Sequence, residues 1–176
     1  MDKIKNKYKG RENVEKILID SAAELLGTIG PSRLSIRDIA EHAGVNHAQI
    51  HHYFGGKQGL LEATYKQLAF THMQQIERRN ISAMDLGEEP LSELTDNYFN
   101  ALIRAVLDGQ MDLLTIQQDS GLSVAKKTLN ELAKLRGASK PSAEEKAAIA
   151  LVTVMEFGLA ASKPYITQAL KISDKE

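Results

Sequence analysis

The chain has 176 residues, of which 43% are hydrophobic and 26% are charged, a balance that is typical of a compact globular protein and excludes the disordered and fibrous classes. It contains no cysteine, which excludes disulfides, zinc–thiolate sites and cysteine nucleophiles. The net charge is −1, but residues 1–57 carry +2 and four of the five histidines while the remainder carries −3, so the N-terminal part is better suited to bind a polyanion.

The basic N-terminus does not look like a targeting signal, because no apolar stretch follows its lysines. The longest nearly apolar run, residues 147–161, is interrupted by Thr153, Glu156 and Gly158 and is too short to span a bilayer. We therefore expect a soluble cytoplasmic protein without a membrane segment.

Helical periodicity dominates the chain and predicts an all-α fold. The first helix begins near Arg11 and ends at Gly30-Pro31, because glycine accepts a left-handed cap and proline cannot continue the hydrogen-bond ladder. Its apolar residues recur at steps of three and four and so share one face. They are Val14, Ile17, Leu18, Ala22, Leu25, Leu26 and Ile29.

A short second helix follows, with Ser35 as its expected N-cap. Asp38 stands at the third helical position, where its carboxylate can complete a capping box. The helix ends near Ala43, and Gly44 is the turn residue.

A third helix over residues 47–54 begins almost at once. Asn46 is its expected N-cap, because its side chain can accept a hydrogen bond from the next turn while Gln49 reaches back. Gly55-Gly56 ends the helix.

The rest of the chain is also predicted to be helical. A long helix runs from Lys57 to about Ile81, and residues 85–90 form a linker of acids, glycine and proline. The later helices are an amphipathic one from Leu91 to about Ala105 that Asp108-Gly109 ends, residues 112–119, residues 122–136, and residues 143–170, which a Ser142–Glu145 capping box opens. The last helix is apolar nearly all round, so it lies in the core or is covered by a partner.

Residues 35–54 have the spacing of a helix-turn-helix. Ala40 is small enough for the second helix to cross the first closely, Gly44 forms the turn, and Ile50 anchors the second helix on the core. That second helix can then enter the DNA major groove, which is about 12 Å wide, with its N-terminal residues at the base edges.

Residues 11–66 resemble the DNA-binding domain of the tetracycline-repressor (TetR) family. The most specific matches are IAEHAGV at residues 39–45, Tyr53-Phe54, and Lys57 followed by Leu60-Leu61. The resemblance implies that Ser35, Tyr53 and Lys57 contact phosphates and that the exposed face of the recognition helix reads bases. The full predicted DNA-binding set is Ser35, Arg37, Asn46, His47, Ala48, Gln49, His51, His52, Tyr53 and Lys57.

The recognition helix departs from the family pattern at three positions, which predicts an atypical operator. Asn46 stands where serine is common, Gln49 where threonine or serine is common, and His51 where tyrosine is frequent. Gln49 either reads adenine through its amide or completes the capping box of Asn46, since the two roles compete for one side chain. The N-terminal lysines and Arg11 form either a DNA-binding arm or a solvated tail. These lysines are Lys3, Lys5, Lys7 and Lys9.

The resemblance implies two domains, a three-helix helix-turn-helix domain in residues 1–57 and a helical ligand-binding and dimerisation domain in residues 58–176. The implied function is that of a repressor that binds a near-palindromic operator as a homodimer and is released by a small-molecule effector. No cofactor is expected. The candidates to line an effector pocket, each equally suited to plain core packing, are Tyr65, Leu68, Met73, Tyr98, Phe99 and Leu102.

Two other classes of function compete with this interpretation. The helix-turn-helix could bind another protein instead of DNA, because the chain lacks a strong positive charge. His47 and His51 lie four residues apart and could form part of a metal site, although no acid or cysteine in the motif completes a ligand set. An enzyme is disfavoured, because no catalytic triad, nucleotide-binding loop or carboxylate-rich metal motif is found.

Overall fold

The computed structural model describes residues 10–79 and 97–171, and within these ranges every regular element is a helix. The all-α expectation is therefore confirmed for this part of the chain. The four N-terminal lysines, the linker at residues 85–90 and the predicted helix start at Leu91 lie outside it. The helices are α1 (Arg11–Ile29), α2 (Ile36–Ala43), α3 (Ala48–Phe54), α4 (Lys57–Arg79), α5 (Asn97–Leu107), α6 (Met111–Asp119), α7 (Val124–Leu135) and α8 (Ala143–Leu170).

The start of α3 corrects the prediction by one residue. The N–H groups of Gln49 and Ile50 donate to the carbonyls of Asn46 and His47, three residues back, so the chain makes a tighter turn before the α-helix begins at Ala48. Asn46 still caps this turn, because its Oδ1 accepts from the N–H of Ala48 at 2.9 Å.

The start of α7 also differs from the prediction. The helix begins at Val124 and not at residue 122, because Ser123 is its N-cap and accepts a hydrogen bond from the N–H of Lys126. The other two predicted caps are confirmed. Ser35 with Asp38 and Ser142 with Glu145 form complete capping boxes.

One continuous hydrophobic core joins the first four helices to the later ones. α1 packs against α2, α4 and α5, and its Leu18 and Leu26 are fully buried. The same core includes Ala101 and Ala105 of α5, which are also fully buried. The division into domains at residue 57 therefore remains a prediction, since the packing is continuous across it.

The later helices form a second layer on α5. The hydroxyl of Tyr65 on α4 donates to the carbonyl of Ala101 at 3.0 Å, which ties α4 to α5 inside the core. α8 packs against α5 and α7, and the rings of Phe99 and Phe157 meet edge to face at 5.9 Å. The helix-turn-helix is thus mounted on a helical body through α1 and α4.

α8 is only partly covered by the rest of the chain. Leu151, Val154 and Met155 are 64–67% exposed, while Ala160 on the opposite side is buried. The helix is 28 residues long and extends beyond the apolar run at residues 147–161 on both sides. Of the described helices, α8 alone is long and apolar enough, by length and composition, to cross a membrane. Within its most apolar stretch, 6% of the residues are buried.

Gly59, in the first turn of α4, is required by the close approach of α3. A Cβ at this position would overlap the carbonyl oxygen of Phe54, which is backbone and cannot rotate away.

We expect Gly59→Ala to lower the free energy of unfolding by about 2 kcal/mol or more, because overpacking against backbone forces the helices apart. The exposed neighbour substitution Gln58→Ala is the control and should change it by less than about 0.5 kcal/mol. Thermal unfolding followed by circular dichroism measures both, and equal stability of the two variants would contradict this packing.

The capping box of α2 predicts a pH dependence of stability. Hydrogen bonds from Ser35, with a smaller effect of the Lys57 charge, hold the pKa of the Asp38 carboxyl below its usual value. The carboxylate therefore stabilises the fold above about pH 4, and this contribution is lost as the pH falls through the pKa of the folded state. At about pH 6, Asp38→Ala should have a lower free energy of unfolding than the wild type, and this difference should shrink as the pH falls. Urea unfolding over a pH series measures it, and a constant difference would rule the linkage out.

Candidate nucleic-acid interface

The helix-turn-helix has a buried side that holds it to α1 and α4 and an exposed side that faces away from them. Ile50 is fully buried and Ala40 is 4% exposed, which confirms the predicted anchor and the close helix crossing. Gly44 ends α2 with φ 66°, a left-handed conformation that glycine adopts without strain. Burial of Ile50 contributes on the order of 1.5–3 kcal/mol, which holds a helix of only seven residues in place.

The residues predicted to read bases lie on the exposed side of α3. His47, Ala48, His51 and His52 are exposed, and Gln49 is half-buried. No hydrogen bond joins the Gln49 side chain to Asn46 within the described part of the chain, so capping, one of its two predicted roles, is not observed. The Gln49 amide is therefore left for other contacts, with the bidentate geometry that suits adenine.

Two predicted phosphate contacts flank this face at helix starts. Ser35 precedes α2, and its oxygen accepts from the N–H of Asp38 at 3.2 Å. Lys57 is the first residue of α4, where its ammonium group and the helix N-terminus both favour an anion. Arg37 is exposed on α2. These three residues lie at the start of α2, on α2 and at the start of α4, and each carries a group that can donate to a phosphate oxygen.

Tyr53 is fixed by a contact that the sequence did not indicate. The guanidinium group of Arg11 lies over its ring, 5.7 Å from the centroid, and the ring of His52 meets its edge at 4.8 Å. Arg11 is also paired with Glu15 at 2.7 Å, and this hydrogen bond raises the pKa of the guanidinium above its usual value. Arg11 is thus the first residue of α1 and not part of a tail. The i, i+4 spacing predicts the pair with Glu15, but the contact with Tyr53 depends on the fold.

A shallow, open depression of about 340 Å³ lies where α2 and α3 meet. It brings together three residues of the predicted set, namely Arg37, Asn46 and His47. Glu41 also lines it and gives it one negative charge. The depression belongs to the face that carries the recognition helix.

The structure does not support the metal hypothesis for the histidines of α3. Among the described residues, no group of three or more histidine, aspartate or glutamate side chains is close enough to hold a metal ion. In that part of the chain, His47 and His51 share a helix face without a third ligand. His51 instead lies beside the turn after α3, where a Cβ on Gly56 would be 3.7 Å from its ring.

The six effector candidates lie in or beside the core. Tyr65, Tyr98, Phe99 and Leu102 are buried, while Leu68 and Met73 are half-buried. The ring of His72 stacks on that of Tyr98 at 4.5 Å and meets the edge of Phe99. An effector that binds among these side chains would have to separate packed rings, so their role in binding remains a prediction.

Comparison with known proteins identifies the N-terminal segment. A family model described as bacterial regulatory proteins, tetR family, matches residues 18–64. This range begins in α1 and ends in α4, so it contains the whole helix-turn-helix.

Curated relatives match a little more than half of the chain. The HTH-type transcriptional regulator BetI 1 of Chromohalobacter salexigens is 33% identical over 95 residues, which cover 54% of this chain and 41% of the relative. The HTH-type transcriptional repressor Rv3405c of Mycobacterium tuberculosis is 35% identical over 100 residues, 57% of this chain and 50% of the relative. The matched segments thus span half or less of these relatives.

A solved structure shows a weaker likeness. The crystal structure of the TetR family repressor AlkX from Dietzia sp. is 16% identical and covers 89% of this chain and 84% of that chain, with a TM-score of 0.42. This similarity is too low to support an argument about the helical body. The match of the helix-turn-helix is the informative one: residues 18–64 are similar to the tetR family of bacterial regulatory proteins.

Proposed function

We propose that this chain is a cytoplasmic, sequence-specific DNA-binding regulator of transcription that acts as a homodimer and represses its target until a small molecule releases it. One observation carries the proposal. Ile50 is fully buried, while His47, Ala48, His51 and His52 around it are exposed. This is the arrangement that presents a helix to the major groove.

The small number of positive charges on this face is suited to a small number of contacts with DNA phosphates. Arg37 and Lys57 supply positive charge next to α3, and Arg11 adds a third cation beside Tyr53. Asp38 and Glu41 on α2 offset part of it, which accords with the modest net charge of residues 1–57. Because the interface has few cations, each phosphate contact contributes a large share of the electrostatic binding free energy.

The exposed stripe of α8 supports a dimer. Leu151, Val154 and Met155 recur at steps of three and four and form one apolar face, and Tyr165 continues it at 73% exposure. Leu135 at the end of α7 is 85% exposed. Since α7 and α8 pack together, two copies can bury these faces in a four-helix interface about a two-fold axis.

The proposed mechanism is a two-state change in the distance between recognition helices. In the DNA-bound state the two α3 helices lie one DNA turn apart, about 34 Å, on a near-palindromic operator. An effector that binds the helical body among the six candidate residues and prefers another state would move α4 and change that distance. Tyr65 on α4 is hydrogen-bonded to α5, so the two helices that an effector would separate are joined to each other.

The direct test is selection of bound fragments from the genomic DNA of the source organism. The proposal expects enrichment of one near-palindromic sequence. A folded dimer that enriches no sequence at low salt would overturn it and favour the alternative, a helix-turn-helix that binds another protein.

The selected operator then separates backbone from base contacts. Lys57→Ala should weaken binding to all sequences alike and reduce the slope of log affinity against log salt by about 1, because one phosphate loses its cation. Gln49→Ala should leave that slope unchanged and relax the preference at one base pair, at a cost of about 1–3 kcal/mol. Fluorescence anisotropy over a salt series measures both. An unchanged affinity and slope in Lys57→Ala would remove the phosphate role.

The dimer interface predicts a monomeric variant. Val154→Glu places a charge in the middle of the apolar stripe, so burying that face would leave an unpaired carboxylate. We expect this variant to sediment as a monomer at micromolar concentration while the wild type sediments as a dimer. Gln118→Glu, at an exposed position on α6, adds the same charge elsewhere and should remain dimeric. A wild-type monomer, or a dimeric Val154→Glu, would contradict the interface.

A further inference from the structure

Asp108 makes a long-range contact that the proposed DNA interface does not include. Its Oδ2 accepts a hydrogen bond from the backbone N–H of Ser32 at 2.9 Å, across 76 residues of sequence. Asp108 directly follows α5, whereas Ser32 lies in the turn that joins α1 to α2. The contact therefore links the end of a body helix to the start of the helix-turn-helix.

The turn leaves space for this carboxylate and for little else. Gly30 has φ 79°, and a Cβ on it would lie 2.8 Å from Oδ2 of Asp108 and 3.4 Å from Cβ of Arg104. Glycine is thus needed here both for the left-handed conformation and for the approach of Asp108. The backbone of the turn and the acid side chain fit each other closely.

The position of Asp108 is unfavourable for α5 itself. A carboxylate at the C-terminal end of a helix meets the negative end of the helix dipole, where lysine, arginine or histidine is preferred. Its negative charge also acts on Tyr65, whose pKa is raised mainly by burial and further by Asp108. The same carboxylate is therefore close to α4, α5 and the α1–α2 turn.

The turn leads directly into the DNA-binding face. Pro31 and Leu34 are buried within the turn, and Ser35 begins the capping box of α2. A displacement of Ser32 relative to α5 would therefore be passed to α2 and, through the turn at Gly44, to α3. The hydrogen bond from Ser32 to Asp108 is a polar link between the body and this segment.

We propose that Asp108 is a positioning residue that, through the N–H of Ser32, fixes the orientation of the helix-turn-helix on the helical body and so sets the spacing between the two recognition helices of the dimer. This inference rests on the proposed function, since spacing matters only when two half-sites are bound together. Asp108 itself contacts no DNA. Its effect is on which half-site separation the dimer accepts.

The test compares operators whose half-sites are separated by the selected spacing, by one base pair fewer and by one more. Asp108→Ala should bind the selected spacing roughly tenfold more weakly and lose most of the discrimination between spacings. Asp108→Asn keeps an acceptor oxygen and should restore most of that discrimination. Asp119→Ala, at the exposed far end of α6, removes the same charge and should behave as the wild type.

A second readout does not depend on DNA. Exchange of the Ser32 amide hydrogen, followed by NMR, should be faster in Asp108→Ala than in the wild type and slow again in Asp108→Asn. If Asp108→Ala keeps the spacing discrimination of the wild type, or if its Ser32 amide remains protected, the inference is wrong. Failure of the wild type to bind any operator would instead overturn the proposed function, while the amide measurement would still decide whether Asp108 holds the turn.

Discussion

The packing of α1 against α5 is the constraint on which the rest of the molecule depends. The two helices approach closely at Gly27, where a Cβ would lie 3.4 Å from that of Asn100. Ala22 of α1 and Ala101 of α5 are fully buried in the same core. α1 is also the helix on which α2 rests, so the DNA-binding segment and the helical body share one wall.

The two short helices of the motif have little stability of their own, since isolated helices of this length are marginal in water. They are held by their ends and by single buried residues. The Ser35–Asp38 box and Gly44 delimit α2, and the Asn46 cap and Gly55 delimit α3. Because α3 is held by its ends and by a buried residue, its exposed side chains are not needed to hold the helix in place. Gln49 and His51 can therefore differ from the family pattern without loss of the fold, whereas Asn46 keeps a capping role.

The two sides of α8 have different surroundings. Its inner side packs on α5 through Phe157 and Ala160, while its outer stripe faces away from the rest of the chain. The sequence pattern, apolar nearly all round, indicated that both sides are covered, but it could not assign either side to the core or to a partner. The packing on α5 decides that question for one side. The dimer proposed for the other side follows from exposure and from spacing along the helix.

Local signals along the sequence determined much of this protein. Capping boxes, glycine turns and the three- and four-residue periodicity were enough to place most helix boundaries within two residues, and the motif at residues 39–45 was enough to indicate the family, because these features depend on neighbours in the chain. Contacts between distant residues were decided only by the tertiary structure. Arg11 over Tyr53 and the bond from Ser32 to Asp108 have no local signature, since each depends on how helices meet in space. The same reason explains why the effector candidates, chosen for their side-chain type, proved to lie in or beside the core.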